Sequence, residues 1–376
     1  MSGLRIAFTA PMKPLDDPRP SGDRTFARLI VRALESAGHS VRIASRFASW
    51  RQAGSELPEA KAAALAEAAR VEAEWRAEGY LPDVFLSYHL YHKAPDWIGP
   101  ALSNAFDMPY AVIEASRAPK RATGEWAFGF AAADAALGRA DAVGAIHRAD
   151  MGCLAAALPS DRLYLLLPFL DAAPFQAQHR IQPDASSTAA VRLLAVGMMR
   201  HGDKERSYRV LAEALRHVSA FDWHLTIVGD GPARAEIEAL FPPHRCSFLG
   251  ALHPEELPAV YADHDLFVWP AIREAFGFVF LEAQASGLPV VGGATFGVPD
   301  VVADGVTGLL APEGDVEGFA AALQRLLSDA DLRLQMGVAA SRHIRERHTL
   351  EAGAARVTAF LDAAIATRSK AGARAS

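Results

Sequence analysis

Short runs rich in β-branched and aromatic residues alternate with longer helix-patterned segments from one end of the chain to the other, and no other feature constrains the fold as strongly. A strand–helix–strand order makes successive strands parallel, because only a long crossover returns the chain to the same end of a sheet. In the first half the strand segments are LRIAFTA at 4–10, SVRIAS at 40–45, DVFLSY at 83–88, PYAVIE at 109–114 and DAVGAI at 141–146. In the second half they are VRLLAVG at 191–197, WHLTIVG at 223–229, CSFLG at 246–250, DLFVWP at 265–270 and LPVVGG at 288–293. Between them lie segments such as FARLIVRALESAG at 26–38, whose apolar residues recur at three and four positions and which stops at a glycine. A chain of 376 residues exceeds what one hydrophobic core usually serves, so two parallel-sheet domains are expected. The break falls in DAAPFQAQHRIQPDASSTAA at 171–190, a polar stretch with prolines and serines and no steady period. The expected organisation is a first domain over 1–171, a linker over 172–190, a second domain over 191–345, and a C-terminal helix and tail over 346–376 with the option of crossing back onto the first domain.

With 51% hydrophobic and 22% charged residues, the composition is that of a packed globular protein. The net charge of −6 gives no global attraction to nucleic acid or to an anionic membrane. The start, MSGLRIAFTAP, carries no export pattern, and the longest apolar runs, such as YLLLPFL at 164–170, fall far short of the roughly 20 residues that span a bilayer. A cytoplasmic protein is expected. Cys153 and Cys246 stand apart with no C-x-x-C, which speaks against a disulfide or metal framework. The Ala- and Glu-rich stretch 56–80 reads as one helix. Its six acidic and three basic residues have the wrong sign for anionic lipid, so a solvated cover helix or lid is expected and nothing supports peripheral membrane contact.

Chemistry concentrates in REAFGFVFLEAQASGLPVVG at 273–292, where Glu274 and Glu282 sit in otherwise apolar text. Buried carboxylates are costly unless something hydrogen-bonds them, so both need a purpose. Glu274 follows the strand segment at 265–270 and falls at the carboxyl end of a parallel strand, where open α/β sheets bind ligands. Glu282 lies on the next helix, whose N-terminus offers free N–H groups to an anion. Two acceptors and an anion site suit a ligand with hydroxyls and phosphates. Two D-x-D strings, at 263–265 and 329–331, read as helix caps rather than metal ligands, and GDG at 229–231 lacks the third glycine of a dinucleotide fingerprint.

The text EAFGFVFLEAQASGLPVV resembles the E-x7-E motif of retaining glycosyltransferases of family 4, and further stretches at 20–45, 165–175, 225–240 and 297–315 are similar to that family. The resemblance implies a GT-B fold, two Rossmann-like domains facing across a cleft, and an EC 2.4 hexosyltransferase-type enzyme. It implies transfer of a sugar from a UDP-, GDP- or ADP-sugar to a sugar, lipid or small-molecule acceptor, with no obligatory cofactor or metal. By resemblance Glu274 faces the donor sugar and Glu282 the ribose, with Ala275, Phe276, Gly277 and Phe278 also on the donor. Gly22 stands in the loop before the first helix, where the family often has two glycines. The diphosphate needs cations, and the loop after the strand at 191–197 offers Arg200, Lys204 and Arg206, of which Arg200 and Lys204 are favoured. Where the family commonly carries a histidine this chain has Ala115, leaving His89, His92, Glu114 and Ser116 as acceptor-side candidates. A GT-B epimerase or phosphorylase, or a catalytically silent nucleotide-sugar binding subunit, remains the alternative.

Overall fold

The computed structural model describes residues 3–17, 21–177, 190–274 and 277–375. It divides into two compact units, Met1–Leu167 with Leu350–Ser376, and Pro168–Thr349. The sequence-based boundaries were 171 and 345; most of the expected linker, residues 178–189, lies outside the described residues.

In the first unit the order is β1 (Arg5–Thr9), α1 (Gly22–Ser36), β2 (Ser40–Ile43), α2 (Leu57–Glu78), β3 (Val84–Leu90), α3 (Ile98–Ala105), β4 (Tyr110–Ala115), α4 (Ala127–Arg139), β5 (Ala142–Ala145), α5 (Arg148–Ala155) and β6 (Leu163–Leu165). The strands form one parallel sheet in the order β2-β1-β3-β4-β5-β6. After β1 the chain steps outward to β2, then crosses to the other side for β3, so the connections diverge between β1 and β3. Strand interiors such as Ile6, Val84, Phe85 and Val112 are fully buried, as a sheet covered on both faces requires.

Helix α2 departs from the expectation of a merely solvated cover. Leu57, Ala60, Ala64, Ala68, Val71 and Trp75 form a buried stripe at helical spacing, and the Trp75 ring packs against Phe106 at 5.6 Å. Alanine lets the helix approach closely, which is why the stripe does not advertise itself in composition. The opposite face carries Glu67, Arg70 and Glu74, joined by ion pairs.

The second unit runs α6 (Ala173–Gln176), β7 (Val191–Val196), α7 (Asp203–His217), β8 (Trp223–Val228), α8 (Arg234–Glu238), β9 (Cys246–Gly250), α9 (Leu257–Ala262), β10 (Leu266–Trp269), α10 (Phe278–Ala285), β11 (Val290–Ala294), α11 (Val298–Val301), β12 (Gly308–Pro312), α12 (Val316–Ser328) and α13 (Ala330–Arg347). Its sheet, also parallel, has the order β12-β11-β10-β7-β8-β9. That is the nucleotide-binding strand order, with the connections diverging between β7 and β10. Strand β12 here, like β6 in the first unit, was not among the strand segments read from the sequence.

Helix α14 (Leu350–Ala375) belongs to the first unit. Val357, Phe360, Leu361 and Ala364 are buried, Phe360 packs edge-on to Tyr164, and Thr358 Oγ1 meets His39 Nε2 at 2.9 Å. Among the described residues, no helix is long and apolar enough to cross a membrane.

Candidate functional site

The loops that leave β7 and β10 flank the divergence point of the second sheet, and glycines fix their path. A Cβ on Gly229, at φ +142°, would lie 1.9 Å from the Gly197 carbonyl oxygen; one on Gly231, at φ +154°, would lie 2.3 Å from that of Met199. The GDG turn therefore presses backbone on backbone against the end of β7. Met199 N–H donates to the Asp230 carbonyl at 2.9 Å, and Ala233 N–H to that of Met199 at 2.9 Å. The loop then turns at Gly202, and α7 begins at Asp203, which places Lys204 in its first turn.

The loop after β10 is unusually constrained. Ala271 and Arg273 both adopt left-handed backbone, at φ 56° and 49°. Ile272 N–H donates to Ser207 Oγ at 3.0 Å and Arg273 N–H to Glu313 Oε1 at 3.3 Å. Glu313 Oε2 also accepts from Thr295 Oγ1 at 2.7 Å, so one carboxylate ties this loop to the end of β11. Strained residues persist only where surroundings over-determine them, and such places are often functional.

These two loops bring Lys204 and Glu274 together: the ammonium donates to Glu274 Oε2. Trp269 Nε1 reaches the same oxygen at 3.4 Å, and Lys204 Nζ lies 5.3 Å from the Trp269 ring centroid. Gly277 then caps α10 at φ +54°, where a Cβ would stand 3.0 Å from the Phe280 ring and 3.1 Å from Glu274 Cγ. Phe278 opens the helix, partly buried. In the next turn Glu282 Oε2 accepts from the Tyr261 hydroxyl at 2.8 Å. Burial pushes the Glu282 carboxyl up to about 7, against the opposing pull of that hydrogen bond.

The other sequence candidates stand differently. Arg200 is exposed on the β7–α7 loop, and Arg206 is exposed and paired with Asp203. Ala275 and Phe276 lie outside the described residues. Trp269, Ser207, Tyr261 and Glu313, which fix the geometry, were not singled out from the sequence. Only Trp269, a large polar-edged ring closing a strand, carried a signal that could have been followed. Both D-x-D strings are structural: Asp263 caps the end of α9, Asp265 accepts from Arg192 N–H at 2.9 Å, and Asp329 caps α13 through Leu332 N–H at 2.8 Å.

In the first unit Gly22 is the exposed first residue of α1, whose cap is Ser21, accepting from Arg24 N–H at 3.3 Å. His89 and Glu114 occupy neighbouring positions at the carboxyl ends of β3 and β4, both with left-handed backbone, φ 63° and 60°. His89 Nδ1 lies 3.2 Å from Asp23 Oδ1 and 3.4 Å from Glu114 Oε1. Burial alone would lower the imidazole pKa, but Glu114 and Asp23 outweigh it and hold His89 above its ordinary value. Burial pushes Glu114 up to about 7, with His89 opposing and Asp23 adding to the rise. His92 sits apart, its ring edge-on to Trp126 at 5.4 Å, and burial with Arg121 and Lys93 holds it below the usual histidine range. Ser116 is tied by its N–H to the Leu90 carbonyl at 2.9 Å, and Ala115 is wholly buried.

Two six-stranded parallel sheets, one with the nucleotide-binding strand order and polar loops at its divergence point, define the GT-B class of glycosyltransferase folds. Among solved structures, the chain is similar to sucrose-phosphate synthase from Thermosynechococcus elongatus, with TM-score 0.73 and 19% identity over 96% of this chain and 98% of that one. It is similar also to Anabaena HepE, solved with UDP and glucose, with TM-score 0.68 and 18% identity over 96% and 99%.

More particularly, residues 190–329 match the family described as Glycosyl transferases group 1. Two curated relatives are similar to part of the chain: sulfoquinovosyl transferase SQD2 from Arabidopsis thaliana, 41% identical over 119 residues, and a D-inositol 3-phosphate glycosyltransferase from Corynebacterium diphtheriae, 42% identical over 144 residues. Those alignments take in 31% and 36% of this chain but only 23% and 34% of the relatives' lengths.

Proposed function

We propose that the protein is a retaining glycosyltransferase that moves a sugar from a nucleoside diphosphate donor to a hydroxyl acceptor. The observation that carries this reading is the Lys204–Glu274 pair at the divergence point of the second sheet, with Glu282 on the helix that follows. Lys204 exchanges its carboxylate partner for the donor diphosphate, which frees Glu274 to accept hydrogen bonds from the sugar hydroxyls. Glu282, beside the Tyr261 hydroxyl, takes the ribose hydroxyls. Arg200 supplies a second cation, and with charge provided by side chains the diphosphate needs no metal.

In the retaining step the bond from the anomeric carbon to the leaving phosphate oxygen breaks while the bond to the acceptor oxygen forms on the same face. The acceptor's proton goes to the departing diphosphate, so no histidine at position 115 is demanded. UDP-sugars are the first donors to try, because Anabaena HepE was solved with UDP and with UDP-glucose. The groups of the first unit, His89, His92, Glu114 and Ser116, are the acceptor-side candidates.

The test is a melting-temperature panel with UDP, GDP and ADP sugars, followed by NMR of the product anomer. A donor that binds the folded state raises the melting point by mass action. One nucleotide series raising it, with product of the donor's own anomeric configuration, is expected. No shift with any of the three series overturns the reading.

A further inference from the structure

The geometry points to a binding site for a divalent transition-metal ion in the first unit, formed by Asp23, His89 and Glu114. Each comes from a different element, α1, β3 and β4, and each offers one ligand atom, with all three atoms within 4.8 Å of one another. The His89 Nδ1 separations of 3.2 Å from Asp23 Oδ1 and 3.4 Å from Glu114 Oε1 have a direct reading. Ligands held about 2.1 Å from one ion stand roughly 3.0 Å apart at right angles and about 3.4 Å apart at the tetrahedral angle.

A proton on Nδ1 accounts for the arrangement less well. It points along one direction and serves one carboxylate, whereas two flank the nitrogen. Glu114 is 8% exposed, and its second oxygen, Oε2, is buried with no hydrogen-bond partner. The buried Tyr88 hydroxyl stands beside that carboxylate at the edge of hydrogen-bond reach, but as a neutral group it cannot balance the carboxylate's charge. Asp150 adds a further negative charge near His89, with His147 Nε2 3.4 Å from its carboxylate, while Lys13 brings the neighbouring positive charge to Asp23. One buried carboxylate, Glu114, with the half-buried Asp23 and Asp150 beside the same imidazole, calls for a cation at the centre.

One imidazole and two carboxylates suit zinc, manganese or cobalt better than calcium or magnesium, which take mostly oxygen ligands. Three protein ligands also leave open positions for an oxygen donor such as water or a sugar hydroxyl. The left-handed backbone at both His89 and Glu114 has a purpose in this setting, since it aims two cross-strand neighbours at one point.

The experiment uses the full chain without a polyhistidine tag, stripped of metal by EDTA and dialysed. Calorimetry with zinc or manganese and visible absorption with cobalt should show one equivalent bound. His89→Ala and Glu114→Gln should each weaken it at least tenfold, a loss seen even for removal of outer-shell partners. Asp23→Asn, in a partly exposed first helical turn, should weaken it likewise with an unchanged melting temperature, which separates ligand loss from misfolding. Wild type showing no saturable uptake, or all three variants binding like wild type, overturns the site. UDP titrated into the same samples probes residues of the other unit. UDP binding without metal uptake overturns the metal site alone, and metal uptake without UDP binding overturns the nucleotide reading alone.

Discussion

Glu274 and Glu282 stand one helical cap apart yet face different partners, an ammonium and a phenol, and their roles should separate by experiment. Hydrogen bonds to a charged group contribute about 1.5 to 3 kcal/mol. Glu282→Ala should therefore weaken bare UDP by roughly tenfold to a hundredfold, while Glu274→Ala leaves UDP affinity near wild type and abolishes transfer. Lys204→Ala should lower turnover on the order of a hundredfold, since preorganised charge at a reacting phosphate contributes about 2 to 4 kcal/mol. Arg206→Ala, whose charge is turned to Asp203, should change little. Calorimetry with UDP beside turnover with the full donor distinguishes these outcomes; equal losses in the two glutamate variants would sink the division of labour.

The same residue makes a stability claim that depends on pH. Glu282 ionises near 7 when folded, against 4.5 for the free side chain, so the folded state holds the proton more tightly. Stability from this group is present below about 4.5 and is lost as pH rises to about 7. Glu282→Gln should then leave stability near pH 4.5 almost unchanged and raise it at pH 8 by on the order of 2 to 3 kcal/mol. Urea midpoints at both pH values measure it. A gain of equal size at both would mean packing, not ionisation, is responsible.

At the scale of elements, the GDG turn after β8 is the piece whose role the sequence concealed. It reads as an incomplete dinucleotide fingerprint, but in the fold it is a packing device that holds the β7 loop. Gly229→Ala should cost about 1 to 3 kcal/mol, the usual range for overpacking, or more because backbone must give way. Its urea midpoint should fall, and UDP affinity with it. A variant of unchanged stability would show that the loop does not depend on this contact. The ten strand segments read from the sequence all became strands, because buried parallel strands write themselves as apolar runs between punctuating glycines and prolines. Strand β12 escaped because Gly308–Pro312 begins and ends in breaker residues, and β6 because Leu163–Leu165 is only 3 residues long. The alanine stripe of α2 escaped because alanine is common on either side of a helix. The pairing of Lys204 with Glu274 was only half legible: each residue could be placed after its own strand, but the choice among three cations needed the first turn of α7. The meeting of Asp23, His89 and Glu114 was not legible at all, since register between β3 and β4 and the start of α1 bring them together, not any spacing along the chain.

For the whole molecule the telling feature is that the first unit is completed by the last helix. Helix α14 covers α1 and β5 with Val357, Phe360, Leu361 and Ala364, and Arg356 Nη2 donates to the Leu167 carbonyl at 3.0 Å. Each large apolar side chain among them contributes about 1.5 to 3 kcal/mol by burial, so the helix carries several kcal/mol. A domain's net stability is only about 5 to 15 kcal/mol, and removing that share should leave the first unit largely unfolded. Deleting residues 350–376 should thus cost roughly the helical and tertiary signal of one unit, while the other keeps its own sheet and core. Limited proteolysis of the truncated chain should leave a resistant fragment close to Pro168–Thr349 that still binds UDP. The interpretation fails if the truncated chain melts in the same transitions as the full one, for then α14 rests on the first unit without holding it together.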